Sequence, residues 1–347
     1  MNLNAARYFD MLESEDSSDD EVYAEYVLLR RPKIFKPRPP PLETWDEVDF
    51  VQRYRLSKET VLWLVSELGS YLKTPTTMNH AISPLEQILL TLRFYATGTM
   101  QQCSGDLFGI SKSAACKVIH LVSRTISTKF IHLIAMPQSS EEVKEVMAKF
   151  YSIAKFPSVV GAIDCTHIRI MSPGGDNAEL YRNRKDIFSI NTQVVADADL
   201  KIRDIVARWP GSVHDSTIFN NSRVKDMMSS QQLDPQTPAE KLYNESQIRT
   251  RNVVERTFGV WKRRFPCIGS QLRVKLCNVQ PIIVSTAILH NLCIMKKENL
   301  PRGENSLVQL MEEENLVLPM IADNDRQYRN DLIISYFSPM LNALEDH

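Results

Sequence analysis

The stretch Val159-Val-Gly-Ala-Ile-Asp-Cys-Thr-His-Ile-Arg-Ile170 predicts a β-strand that starts apolar on both faces and carries a carboxylate in its middle. Such a run is typical of a central strand that helices cover on both sides. Burying a lone carboxylate costs on the order of several kcal/mol, so Asp164 needs a cation or a set of hydrogen-bond donors beside it. Two interpretations stay open: a divalent metal ion, or neighbouring backbone amides and Arg169.

Composition limits the class of protein. The chain has 347 residues, 43% of them hydrophobic, and a formal net charge of -1. Length predicts two folded units with tails, and the charge excludes a polycation, so a nucleic-acid surface requires local segregation of charge. Six cysteines without a CxxC pair, and no secretory signal, predict a reducing compartment. The longest apolar run, 279–295, is too short for a membrane span, so we expect no membrane partner.

Residues 1–43 predict a disordered acidic tail followed by a basic, proline-rich linker. The segment 13–21 has six acids and no base, and 30–41 alternates basic residues with prolines. Such a short basic run is a weak nuclear-import signal. Residues 297–347 are acidic and irregular in pattern, which predicts a C-terminal acidic tail.

Residues 44–155 predict an all-helical domain. Within it, a short helix over 100–108, a turn at Gly109-Ile-Ser111 and a longer helix over 112–127 are typical of a helix-turn-helix. In that arrangement Lys112, Ser113 and Lys117 face the DNA groove. The alternative is a helical hairpin that never contacts DNA.

Residues 156–296 predict a second domain, of α/β class. After the opening strand, the loop Tyr181-Arg-Asn-Arg-Lys185 carries three bases, and strands follow over 189–197 and 202–208. Ser212-Val-His-Asp215 then predicts a helix start with a capping box, in which Asp215 satisfies backbone amides. A carboxylate there could also reach a metal ion, and the two roles are compatible.

The segment Arg249–Phe265 predicts a helix with one apolar stripe and a basic surface. Glu255 lies at the edge of the stripe, with Arg251 and Lys262 on either side at helical spacing. Its ordinary interpretation is an ion pair with one of these two. The bases from 249 to 275 outnumber the acids eight to one, which suits a phosphate backbone.

Together these segments resemble the transposase-derived nucleases of the PIF/Harbinger superfamily, a group of DDE endonucleases. The matching motifs run in the family's order: Ser83-Pro84, Phe94–Gly98, Gly109–Ser113, Gly161–His167, Tyr181–Lys185, Trp209–Ser216, Arg251–Gly259 and Leu289–Cys293. The resemblance covers most of the chain.

The resemblance implies a fold and a chemistry. The fold is RNase H-like, with a mixed sheet flanked by helices, preceded by the helical domain. It implies Asp164 and Glu255 as catalytic residues, and Asp164, Asp215 and Glu255 as ligands of Mg²⁺ or Mn²⁺, which promote phosphodiester cleavage. It further implies DNA as partner, a DNA-binding protein that aids nuclear import, and location in nucleus and cytoplasm. The expected DNA contacts are Lys112, Ser113, Lys117, Arg182, Arg184, Lys185, Arg251, Arg256, Lys262, Arg263 and Arg264.

One departure from the family pattern bears on activity. The family has two further strands, the first with a Gly-Asp-x-Gly-Tyr motif that carries another catalytic Asp, and this chain lacks them near residues 229–233. The sheet is therefore expected to be incomplete, with an uncovered edge beside the opening strand. Two functions remain open: a metal-dependent nuclease, inactive if the missing Asp is essential, or a non-catalytic protein that binds DNA or docks a partner.

Overall fold

A computed structural model describes residues 40–73, 81–222, 238–298 and 331–340. By internal contacts the chain divides into residues 1–38 and residues 39–347, and all described residues belong to the second unit. Nearly all of the predicted N-terminal tail and linker lies outside the described residues. The helices are α1 (Pro41–Thr44), α2 (Glu47–Tyr54), α3 (Lys58–Leu72), α4 (Pro84–Thr97), α5 (Gln101–Leu107), α6 (Lys112–Lys129), α7 (Ser140–Ala154), α8 (Asp215–Asn220), α9 (Pro238–Arg264), α10 (Pro266–Gly269) and α11 (Leu276–Met295).

Serine side chains set the starts of several helices. Ser57 accepts from the amide of Thr60 at the start of α3. Ser83 and Glu86 form the predicted capping box at the start of α4, in which each side chain accepts from the other residue's backbone amide. Each such cap satisfies a backbone amide that would otherwise lack a partner and stabilises the helix by about 1 kcal/mol.

The predicted short helix, turn and longer helix are present as α5, residues 108–111 and α6. Gly109 lies in the left-handed region with φ +61°, which glycine adopts without strain. Gly105 lets the helices approach closely, because a Cβ there would lie 2.8 Å from the Ile110 carbonyl oxygen. The helical hairpin is therefore observed, whereas its contact with DNA remains a prediction.

The described sheet has three antiparallel strands in the order β1-β2-β3: β1 (Ala162–Arg169), β2 (Ser189–Ala196) and β3 (Ile202–Pro210). Asp164 lies opposite Val194, and His167 lies opposite Asn191. All three strands were predicted, within three residues at either end. A small antiparallel sheet among helices is consistent with a DDE endonuclease domain.

Two expectations about the sheet require correction. Among the described residues its strands are all antiparallel, not mixed, and the nearest feature to a parallel pair is an isolated bridge between Ile170 and Leu272. The central strand is β2, buried along its whole length, and not β1; the position of β1 at an edge agrees with the expectation drawn from the missing strands. Both differences follow if the family's strands beside β1 are missing, and the segment in question lies outside the described residues.

One continuous core connects the helical region to the sheet. Buried side chains from α3, α4 and α6 belong to the same cluster as those from β1, β2, α9 and α11. The hydroxyl of Tyr95 on α4 contacts the hydroxyls of Ser123 on α6 and Ser285 on α11, at 2.6 and 2.7 Å. Helix α11 is long and apolar enough to cross a membrane, but 72% of its most apolar window is buried, as in a core helix.

Asn291 on α11 binds three backbone groups in the core. Its Oδ1 accepts from the Ile202 amide at 2.8 Å, and its Nδ2 donates to the carbonyls of Ile202 and Leu133 at 2.7 and 2.9 Å. The side chain therefore pairs with the first residue of β3 as a neighbouring strand would. It thereby joins α11 to the sheet and to the turn after α6.

The range predicted as an acidic tail contains ordered parts. The Glu298 carboxylate accepts from the Ser57 amide at 3.2 Å and from the Ser57 hydroxyl at 2.7 Å, so it caps α3. Residues 331–340 are helical, with a π-helical turn at Ile333–Phe337, and Phe337 is buried against Phe156.

We expect Asn291→Ala to lower the free energy of unfolding by roughly 3 kcal/mol, because it leaves three backbone groups without their partner. Asn220→Ala, an exposed residue on α8, is the matched control and should change it by less than about 0.5 kcal/mol. Urea unfolding followed by circular dichroism measures both. Equal effects of the two substitutions would contradict the role assigned to Asn291.

We expect stability to depend on His290 in weak acid. Burial lowers the pKa of His290 from 6.5 to about 4, against the raising effect of its hydrogen bond to the Leu200 carbonyl. The unfolded chain binds a proton below pH 6.5 and the folded chain does not, so stability is complete above that pH. Between pH 6.5 and about 4, roughly 3 kcal/mol should be lost. His290→Gln, which can still donate to Leu200, should remove this part of the pH dependence in unfolding titrations.

Candidate metal centre and nucleic-acid interface

Asp164 is partnered by a base and a backbone amide. Its Oδ2 lies 3.1 Å from the Nη2 of Arg251, on the helix α9 that packs against β1. Its Oδ1 accepts from the Cys165 amide at 2.8 Å. The Asp164 side chain is 19% exposed and that of Arg251 is 33% exposed. The predicted need for a nearby cation is therefore met within the chain, by Arg251 and not by Arg169.

Burial raises the pKa of Asp164, and the charge of Asp215 raises it further, while Arg251 and the Cys165 amide lower it. The net shift is upward because desolvation is the largest effect. The Asp164 carboxylate therefore binds a proton more readily than an exposed aspartate would. A cation that replaced Arg251 would have to compete with this proton.

A second contact holds α9 along β1. Lys262 Nζ donates to the Thr166 hydroxyl at 2.6 Å. Thr166 projects from the same face of β1 as Asp164, because side chains alternate along a strand. Glu255 lies on α9 between Arg251 and Lys262, is half-buried, and has an interaction partner of its own. The structure thus brings Asp164 and the helix that carries Glu255 together, as predicted.

Asp215 is held from the opposite face of β1. Its Oδ1 accepts from Asn191 Nδ2 at 2.7 Å, and its charge acts on the Cys165 thiol. Burial, followed by the charges of Asp215 and Asp164, raises the pKa of this thiol, so it stays protonated at neutral pH. Asp215 is exposed, and its charge reaches Asp164. The two carboxylates are therefore electrostatic neighbours whose hydrogen bonds lie on different faces of the strand.

The predicted capping box at Ser212 and Asp215 is absent. Helix α8 begins at Asp215 with His214 in the N-cap position, and no side chain caps it. The Asp215 carboxylate instead accepts a hydrogen bond from Asn191.

Gly211 docks the basic loop onto the sheet. A Cβ at Gly211 would lie 2.3 Å from Ser189 Oγ and 2.6 Å from the Tyr181 carbonyl oxygen, so only glycine fits. The Ser212 amide donates to the Leu180 carbonyl at 3.1 Å. Arg184 contacts the His214 ring, so the loop lies beside the start of α8.

The residues predicted to bind DNA fall into three groups. Six are exposed and accessible: Lys112, Ser113, Lys117, Arg184, Lys185 and Arg256. Three engage other side chains: Arg182 pairs with Glu179, Arg251 with Asp164, and Lys262 with Thr166. Arg263 is half-buried. Arg264 is 2% exposed, so the prediction that it contacts DNA is corrected: the residue is part of the core.

Sequence reasoning missed Asn191, Thr166 and His214 as members of this region. A usable signal was present for Asn191, since it is a polar residue in an otherwise apolar central strand and is only 1% exposed. A buried amide needs partners, and Asn191 finds them in Asp215 and in the Val213 carbonyl.

The described residues do not fit a complete divalent-metal site. Within the described ranges, no group of three or more His, Cys, Asp or Glu side chains is arranged to hold a metal ion. Asp164 and Glu255 lie on elements that contact each other. However, the Asp164 carboxylate is paired with Arg251, and Asp215 accepts a hydrogen bond from Asn191 on the other face of β1. The third acid implied by the resemblance would belong to the missing strands.

Comparison with known proteins finds similarity to the DDE superfamily endonucleases. The model of the DDE superfamily endonucleases matches residues 163–236 and 226–291. The resemblance to these nucleases is confirmed.

The chain is 28% identical over 322 residues to "Putative nuclease HARBI1" of Rattus norvegicus, covering 82% of this chain and 89% of that protein. The same protein of Bos taurus is 29% identical over 313 residues, with the same coverage. "Protein ALP1-like" of Arabidopsis thaliana is 25% identical over 183 residues, covering 51% and 44%. No solved structure matches the chain.

One feature of these matches bears on the missing strands. The DDE endonuclease match is split into two pieces that overlap over residues 226–236, where the strands are expected.

We expect Arg251→Met to destabilise the protein by roughly 2 kcal/mol at pH 7, because it leaves the Asp164 charge half-buried without its partner. Asp164→Asn in the same chain should recover most of this loss, since it removes the unpaired charge. Arg256→Met, on the exposed side of the same helix, is the control and should be nearly neutral. A double-mutant cycle by urea unfolding measures the coupling, and additive effects would contradict the ion pair.

Proposed function

We propose that this chain derives from a divalent-metal-dependent nuclease acting on DNA, and that in its present form it binds DNA without cutting it. The observation that carries this proposal is the Asp164–Arg251 ion pair: a guanidinium group is paired with the carboxylate that the family uses for metal binding. The lack of a three-ligand group in the described ranges and the split family match support it.

Retained DNA binding is supported by the positions of the exposed bases. Lys112, Ser113 and Lys117 share the accessible side of α6, the second helix of the hairpin. Arg184 and Lys185 are exposed on the basic loop. Exposed lysine and arginine side chains suit a phosphate backbone. In this proposal the hairpin is a helix-turn-helix, the second region is an RNase H-like domain, and Gly211 keeps the basic loop in place.

The second candidate function is a working Mg²⁺- or Mn²⁺-dependent nuclease. It is favoured by the packing of α9 on β1, which brings the helix of Glu255 against the strand of Asp164. A bound divalent ion would supply charge stabilisation for phosphodiester cleavage. The chain's own contribution would be to hold Asp164 deprotonated and to move Arg251 aside. By its descent the protein is proposed for nucleus and cytoplasm, with a DNA-binding partner that aids import.

We expect the purified chain to bind labelled duplex DNA at low salt and to leave supercoiled plasmid intact with Mg²⁺ or Mn²⁺. Asp164→Asn should leave DNA affinity within about twofold, because this side chain faces α9, whereas Lys112→Met with Lys117→Met should weaken it about tenfold or more and reduce its salt dependence. Anisotropy measures the binding and gel electrophoresis the cleavage. Lys144→Met with Lys129→Met, exposed bases at other positions, is the control pair.

The outcome that selects the second candidate is equally specific. Cleavage that requires metal and disappears in both Asp164→Asn and Glu255→Gln would show an active nuclease. A chain that neither binds DNA at low salt nor cuts it would overturn both functions. Insertion of the missing strands from a family member should convert a binding chain into a cutting one.

A further inference from the structure

Four arginines meet where α4 ends, next to the corner between α2 and α3 and the end of α9. They are Arg55, Arg93, Arg263 and Arg264, and we call them the arginine cluster. Arg55 Nη2 donates to the Ala96 carbonyl at 3.4 Å, and Arg93 Nη1 donates to the Arg53 carbonyl at 3.3 Å. Arg93 and Ala96 are three residues apart and so share a face of α4. The Arg55 and Arg93 guanidinium groups therefore lie in the same region.

Arg264 forms the floor of the cluster. It is 2% exposed, and its Nη2 donates to the Glu298 backbone carbonyl at 3.4 Å. The Glu298 carboxylate binds Ser57, two residues after Arg55, which places the end of α9 beside Arg55. Arg55, Arg93 and Arg263 are only half-buried, so they form a rim that solvent can reach.

Two arginines of the cluster have nitrogen donors without acceptors. Arg55 Nε, Arg264 Nε and Arg264 Nη1 are buried and have no hydrogen-bond partner. Within the described ranges, none of the ion pairs involves Arg55, Arg93 or Arg264. The Glu298 carboxylate accepts hydrogen bonds from Ser57, Thr60 and the Cys293 thiol, and it forms no ion pair with Arg264. Arg55, Arg93 and Arg264 thus concentrate positive charge, and within the described ranges no ion pair neutralises these three side chains.

The energetic consequence is visible in Arg55. Burial lowers its pKa, and the charges of Arg93, Arg264 and Arg263 lower it further. Like charges packed together in a partly dry site destabilise the folded chain, and buried unpaired donors add to that cost. An anion bound among these side chains would offset both costs.

We propose that the arginine cluster binds a phosphate group. Guanidinium forks donate pairs of parallel hydrogen bonds that match the oxygens of phosphate, and several forks around one pocket satisfy its multiple acceptors. The phosphate is either a free ion, such as inorganic phosphate or pyrophosphate, which would reach the buried Arg264, or part of a DNA backbone, which would contact the rim of Arg55 and Arg93. The site is separate from Asp164 and needs no divalent metal, so it does not depend on the metal chemistry of the proposed function.

The test measures thermal unfolding of the full chain in metal-free buffer, with sodium phosphate or pyrophosphate replacing sodium chloride at constant ionic strength. We expect a saturable rise in melting temperature of roughly 5 °C at about one hundred times the dissociation constant. Isothermal titration calorimetry then gives the affinity of each anion. The absence of a saturable difference between phosphate and chloride would overturn the proposal.

Two variants assign the effect to the cluster. Arg264→Met should reduce phosphate affinity at least tenfold and, in chloride alone, should raise the melting temperature, because it removes a buried unpaired charge. A purely structural Arg264 predicts the opposite sign in chloride. Arg55→Asn removes a second fork while tolerating the left-handed backbone at that residue, whose φ is 68°. Arg208→Met, an exposed arginine on β3, is the matched control and should leave the response unchanged.

Duplex DNA binding by the same variants identifies the source of the phosphate. Loss of DNA affinity in Arg55→Asn, with a salt dependence reduced by about one phosphate contact, would assign the site to the DNA backbone. Unchanged DNA affinity together with a lost response to phosphate would assign it to a free anion. Equal phosphate affinity in the wild type, Arg264→Met and Arg55→Asn would place any binding elsewhere and overturn the proposal.

Discussion

The contact between the Asp164 carboxylate and the Arg251 guanidinium is the constraint on which this part of the structure depends. A carboxylate in the middle of a half-buried strand requires a counter-charge, and α9 supplies it from one side. Because Lys262 binds Thr166 two residues further along β1, the helix is fixed to the strand at two points. The position of Glu255 between these contacts follows from the register that they set.

The same constraint explains how the acids of this region are accommodated in the fold. Divalent ions neutralise the clustered carboxylates of a two-metal site. Here Arg251 pairs with Asp164, and Asn191 donates to Asp215. These partners stabilise the two acids within the described structure, and a metal ion at Asp164 would have to displace Arg251.

The helical region and the sheet depend on each other for their core. Asn291 pairs with the backbone of β3, and Tyr95 joins α4, α6 and α11 through hydroxyl contacts. Glu298, beyond the end of α11, caps the start of α3. Polar groups at these junctions have few alternative partners, which specifies one relative position of the elements. The arginine cluster lies at one such junction and is the place where the polar pairing is incomplete.

Much of the organisation could be predicted from sequence, because it depends on local patterns. Ser83 and Glu86 specified a capping box, Gly109 a turn, and the apolar runs all three strands, since caps, turns and strand periodicity involve residues near one another in the chain. The motifs around Asp164 and Glu255 indicated the family. The need of Asp164 for a counter-charge also followed from sequence, because burial of a charge is costly wherever it occurs.

Only the tertiary structure decided which partners satisfy those needs. That Arg251 pairs with Asp164, that Asn191 holds Asp215 in place of a capping box, and that Arg264 is buried all depend on residues distant in sequence. Helical periodicity placed Arg264 among bases on a surface, but the end of α9 packs under Glu298 and that surface is inside the protein. Pairing between side chains of different elements depends on how the helices pack on the sheet. A local sequence pattern does not determine that packing.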